Sequence, residues 1–149
     1  MKQQAGMTLI VKTVTRISVW LIMLYGIYII LHGHLSPGGG FAGGVIIALA
    51  FLNVMLAFGR DFIKNWLNIE MLHDIDSSSA MMFLAVGILG MAFGGSFLAN
   101  FISHGTLFNL VSSGTIQVLN IVIGLKVGMG LFIVVWALAL FHLDRKEMK

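Results

Sequence analysis

HGHLSPGGGFAGGVIIALAFLNVMLAF, residues 32–58, joins the least ordinary stretch of this chain to one of its plainest. Two histidines, the only proline and a cluster of glycines interrupt the sequence between two long apolar runs. The run after the break, from Phe41 to Phe58, holds no charged residue and no strand-like alternation. It reads as a helix of the length that crosses a hydrocarbon core of about 30 Å. Working outward, similar runs extend approximately over residues 14–31, 80–99 and 115–143. The expectation is an all-α membrane protein, one domain over residues 1–149, built as a bundle of four transmembrane helices.

Composition agrees. The chain is 58% hydrophobic and 10% charged, against about 45–50% and about 25% in ordinary soluble domains. It has no cysteine, which removes disulfides, thiolate metal sites and cysteine nucleophiles. A net charge of +3 is no sign of nucleic acid here, because the basic residues cluster at the ends of the apolar runs. Lys2, Lys12, Arg16, Arg60, Lys64, Arg145, Lys146 and Lys149 fall on one side of a four-span topology. By the positive-inside rule that side is the cytoplasm, so both termini are expected there. The connection RDFIKNWLNIEMLHDIDSSS then lies on the same side, either as a short helix in the headgroup region or as a docking surface. Asp74, Asp76 and Ser77–Ser79 read as N-caps for the third span, with all carboxylates at the cytoplasmic side.

The glycine stretch excludes more than it admits. Gly38, Gly40 and Gly43 match G-x-G-x-x-G, but no strand precedes them and no βαβ unit surrounds them, so no dinucleotide site is expected. His32 and His34 lack carboxylate or thiolate company, so neither a metal nor any other cofactor is expected. No nucleophile–base pair can be assembled from the outer loops, which argues against an enzyme. Ser36-Pro37 is a helix-start signal, with Ser36 as N-cap and Pro37 at the first helical position. Gly40 and Gly44 form a small-xxx-small face suited to close helix packing.

GHLSPGGGFAGG also resembles the signature of the MnhB family, the B-type component of the Mrp-type monovalent cation/proton antiporters. The resemblance extends over nearly the whole chain in its length, its four spans and its short polar connection. It implies an accessory membrane subunit of a multi-component antiporter that exchanges sodium or another monovalent cation for protons, driven by the proton motive force. It implies a place in a bacterial or archaeal cell membrane among other Mrp subunits, next to the large A-type component in particular. The related domain of ion-translocating hydrogenases and complex I-like assemblies is the alternative, and a purely structural membrane scaffold another.

Several residues then stand out as candidates. Lys126 lies about 16 Å into the fourth span, near mid-membrane, where an unpaired lysine costs at least about 2.5–3.5 kcal/mol. No acid falls inside the four expected spans. Asn53 is then its best internal partner, and the favoured solution is an acid from another subunit or a hydrated channel shared with it. Ser96, Asn100 and Ser103 make a polar stripe which, with His34 and His104, is expected to line an outer vestibule. Pro37, Gly38, Gly39, Gly40, Phe41, Gly43 and Gly44 are expected to set the depth and angle of span two, with Phe41 facing a neighbouring helix. Gly90, Gly94, Gly124 and Gly128 are expected to seat helices of other subunits.

Overall fold

The computed structural model describes residues 7–35, 37–102 and 112–147, of which 142–147 as backbone. The helices are α1 Leu9–Leu31, α2 Gly39–Phe58, α3 Arg60–Trp66, α4 Ile69–Gly94 and α5 Thr115–Glu147. Four of them, all but α3, are long and apolar enough to cross a membrane, and no strand occurs among the described residues. They do not close into the expected bundle. α2 packs on α1 and α5, α4 packs on α5, and α1 barely reaches α5, so the order in space is a row, α1–α2–α5–α4. An inner helix of a row is covered on two sides and an edge helix on one. Half of α2's apolar window is accordingly buried, against 17% for α1 and 22% for α4.

Glycine explains the centre of the row. A Cβ on Gly44 would stand 2.7 Å from the Gly124 carbonyl and 3.1 Å from the Gly128 amide, so α2 and α5 touch backbone to backbone. Gly43, on α2's other side, meets Gly26 and Ile30 of α1 in the same way. In lipid, where apolar burial drives no association, such close approach is what holds helices together. Further along the α2–α5 seam, the Phe51 and Phe132 rings lie 5.5 Å apart. Phe132 and Trp136 then join Val54, Met55, Ile63 and Leu72 in a large core cluster. Ile63, fully buried, is how the short α3 attaches to that core, leaving Phe62 and Trp66 outward.

Of the boundaries that differ from the sequence expectation, three bear on the site. α2 starts at Gly39, after a cap at Gly38 with φ 130°, so Pro37 precedes the helix and is not its first residue. The conformations of Gly38 and Gly39 (φ 60°) are ones that side-chain-bearing residues rarely adopt, and they make the turn that proline cannot. α4 starts at Ile69, not Ala80. Asn68 accepts from the Glu70 amide at 3.0 Å, and Ser79 returns its hydroxyl to the Ile75 carbonyl at 2.6 Å, so the polar segment is absorbed into the helix. α4 also ends early, at a left-handed Gly95, and Phe97–Ala99 fold back along it. Ser96 and Asn100 therefore share no helical stripe, and Ser103 and His104 lie outside the described residues.

Candidate functional site

α5 presents glycine to α2 and charge to α4. Lys126 Nζ donates to Asp76 Oδ2 at 2.7 Å, an ion pair between two membrane-crossing helices. Asp76 lies roughly 10 Å along α4 from Ile69, inside the span and not at a cap. This corrects the expectation that no span holds an acid and that Lys126 takes its counter-charge from another subunit. Asn53 is no partner either: it sits on the exposed side of α2 between Leu49 and Leu56. Each charge alone would be expensive at this depth, and together they neutralise one another.

The pair is not sealed. The lysine side chain is 44% exposed and the carboxylate 22%. Both open into a groove of about 420 Å³ whose walls include Phe41, His73, Gly130 and Val134. Asp76 Oδ1 is buried without a hydrogen-bond partner and lies over Gly130, where a Cβ would come within 3.1 Å of it. Glu70, His73 and Asp76 follow one another at intervals of three on α4, so polar groups descend from the start of α4 to the pair. On the other side of Lys126 a second groove is lined by Ser79, Ala80, Phe83, Val122 and Ile123. Glu70 and His73 thus place polar groups on α4 between its start and the pair.

The glycine motif and the ion pair meet at Phe41. It is 64% exposed, on the groove's rim, instead of packing into a neighbouring helix of this chain. The remaining motif glycines position it. Gly40 donates its amide to Asn120 Oδ1 at 3.4 Å, and Gly33 and Gly39 press on the same side chain. Asn120 thus ties the start of α2 to α5. The four glycines expected to seat other subunits are occupied within the chain. Gly124 and Gly128 face Gly40, Gly44 and Ile47, while Gly90 and Gly94 are covered by the returning Leu98 and Ala99. A small-residue pair shows that a backbone comes close, not whose backbone it is.

At the loop end, His34 is half-buried, and the His32 ring stacks on Tyr28 at 4.1 Å between centroids. Asn100 holds the start of α5. Its Oδ1 accepts from the Thr115 amide at 3.0 Å and hydroxyl at 2.9 Å, and its amide donates to the Ser113 carbonyl at 3.2 Å, so it caps α5. Sequence reasoning missed Asp76, Asn120 and this use of Asn100. The available signal was an amide or acid one helical turn from a small residue on the same face, as Asn120 is from Gly124.

A row of four membrane-crossing helices, with backbones in contact at its centre and an ion pair opening on its flank, defines a small all-α multi-pass membrane protein. The chain belongs to the MnhB family: residues 10–133 match the family model described as a domain related to the MnhB subunit of Na+/H+ antiporter. It is 39% identical over 117 residues to the uncharacterized protein MJ1307 of Methanocaldococcus jannaschii, a match covering 74% of this chain and 44% of that one. It is 28% identical over 100 residues to the B-type Na(+)/H(+) antiporter subunit of Bacillus subtilis, covering 67% of this chain and 69% of that one. In structure it resembles a chain of the membrane-bound sulfane sulfur reductase, an archaeal respiratory membrane complex. The TM-score is 0.73 at 30% identity, over 89% of this chain and 60% of that one. The chain thus spans less than half of one of these relatives and about two thirds of the others.

Proposed function

We propose that this chain is an accessory subunit of a multi-component Na+/H+ antiporter, driven by the proton motive force, with both termini in the cytoplasm and the large A-type component next to it. The observation that carries this reading is the family match over residues 10–133, beside the 28% identity to the Bacillus subtilis antiporter protein. No covalent chemistry and no cofactor enter it; the chain is a transporter part and not an enzyme. Within the complex, the Asp76–Lys126 pair serves as the end of a polar path from the start of α4. A proton arriving on Asp76 cancels its charge and frees the Lys126 ammonium, and departure of that proton restores the pair. Onward transfer passes through whatever partner closes the groove at Phe41 and His73. His34, in the connection between α1 and α2, is the candidate for proton entry on the far side, together with His104, which lies outside the described residues.

The test is exchange in everted membrane vesicles from cells carrying the full set of subunits. Omitting this chain is expected to abolish sodium-dependent proton movement and to remove the A-type component from the purified complex. Intact exchange without the chain overturns the reading. The structural likeness to the sulfane sulfur reductase chain supports a second reading, a membrane-arm component of an ion-translocating respiratory complex. That reading predicts proton or sodium movement only when a reductant and a terminal acceptor are supplied.

A further inference from the structure

The seam between α1 and α2 leaves a cleft of about 290 Å³ at the end of the row where α1 begins. Its lining is apolar and aromatic, with Trp20 and Met23 from α1, Phe51 and Phe58 from α2 and Trp66 from α3. One charged group stands at its mouth, Arg16, whose guanidinium lies 5.9 Å from the Phe58 ring centroid. Phe58 is the last residue of α2, so this cation sits at the level where the membrane crossing ends. Lys12, one turn earlier on α1, lies on the same face. Among the described residues no carboxylate comes within ion-pair distance of either. From Arg16 to Met23 the cleft runs roughly 10 Å into the membrane.

We propose that this cleft binds an anionic phospholipid, its phosphate held by Arg16 and Lys12 and one acyl chain lying along Met23 and Phe51. The shape favours a lipid over a partner helix. A helix with its side chains is about 10–12 Å across and does not enter a cleft of this volume, whereas a single acyl chain does. The charge favours an anionic headgroup, because a guanidinium presents several donors in a plane that matches phosphate oxygens. Trp20 and Trp66, both more than half exposed, stand where amphipathic rings line the headgroup boundary. The antiporter reading is not needed for this inference, which concerns a different flank of the row.

The experiment is lipid extraction and mass spectrometry on the purified assembly, comparing wild type with Arg16→Gln and with Val19→Trp, which fills the cleft. Wild type is expected to retain anionic phospholipid at a level at least threefold above both variants after the same detergent washing, with zwitterionic lipid unchanged. Equal anionic lipid in all three overturns the proposal. So does loss of a partner protein in place of lipid, which identifies the occupant as a partner helix. A second measurement keeps the test sound if a variant fails to assemble. The full-length wild-type chain in vesicles of mixed phosphatidylcholine and phosphatidylglycerol should show tryptophan quenching at least twofold stronger when the bromine is carried by the phosphatidylglycerol. Equal quenching by the two brominated lipids overturns the inference as well.

Discussion

α5 has two seams, and they are held together by opposite means. On the α2 side, Gly124 and Gly128 let backbones meet, with nothing polar but the Asn120 amide at the loop end. On the α4 side, Lys126 and Asp76 bridge a gap that stays open to a groove. At Gly44 the first seam leaves no room for an added atom, since a Cβ there would stand 2.7 Å from the Gly124 carbonyl. The second carries a charge pair, an unpartnered carboxylate oxygen and room beside it. A chain that needs one rigid axis and one responsive flank can separate them on two faces of a single helix. The contrast makes the two seams separately testable.

The largest effect is expected at the glycine seam. Gly44→Leu pushes a side chain into the Gly124 carbonyl and the Val127 Cβ, and neither can move without separating α2 from α5. Overpacking costs typically about 1–3 kcal/mol even where neighbours adjust, and more when they are backbone. Recovery of folded protein from membranes should fall at least tenfold, as read by fluorescence size exclusion. Normal recovery would mean that the two helices are not in contact in the assembly.

The ion pair comes next, and its two halves must be unequal to the double change. Lys126→Met leaves Asp76 alone in the span, and Asp76→Asn leaves Lys126 alone, each at a cost of about 2.5–3.5 kcal/mol on insertion scales. Combined, they remove both charges. Thermal stability should fall in each single variant and return towards wild type in the double one, while sodium/proton exchange stays low in all three. If exchange in the double variant matches wild type, the pair is structural only. Lys126→Arg preserves the charge and should retain the most exchange of the single variants.

A smaller effect is expected from the amides that fix the ends of α2 and α5. Asn120→Ala removes the acceptor for the Gly40 amide, and Asn100→Ala removes the cap on Thr115. Cap losses of this kind cost about 0.5–2 kcal/mol. Differential scanning fluorimetry should show a drop of a few degrees for each, with assembly intact. Asn120→Ala alone should also alter exchange, because it loosens the turn that carries Phe41 to the groove. Equal exchange in the two variants would separate the glycine turn from the ion-pair flank.

The four crossings are legible because each contains a long, predominantly apolar run, and Phe41–Phe58 falls within two residues of α2. What is not legible depends on partners distant in sequence. Asp76 reads as a capping residue because nothing near it announces the lysine fifty positions on that neutralises it. Gly90 and Gly94 read as a docking face because the segment that covers them follows a left-handed Gly95, and nothing in local hydropathy says that a chain reverses there. Lys126 itself is found by depth and charge alone, since a lysine in the middle of a span demands compensation whatever supplies it.

The finest test of the two-seam contrast is one substitution made on both faces. Gly130 is the α4-side counterpart of Gly128, but its missing Cβ points at the Asp76 carboxylate, 3.1 Å away, and not at a backbone. A carboxylate on a rotatable side chain can give by a few tenths of an ångström; the Gly124 carbonyl opposite Gly44, in a packed helix backbone, cannot. Alanine in a helix interior is favoured over glycine by roughly 0.5–1 kcal/mol, which works in the same direction at every site. Gly130→Ala should therefore leave thermal stability unchanged or raise it slightly. Gly44→Ala, facing the Gly124 carbonyl at 2.7 Å, should lower it despite the same helix preference. The two values are to be measured in one detergent and lipid background. If Gly130→Ala is the more damaging of the two, the α4 seam is as rigid as the α2 seam, and the responsive flank does not exist. If the signs come out as expected, exchange in Gly130→Ala is the remaining readout. A methyl group there crowds Asp76 Oδ1, a buried oxygen without a hydrogen bond, so the rate should fall by less than about threefold, a change of less than about 0.7 kcal/mol in barrier.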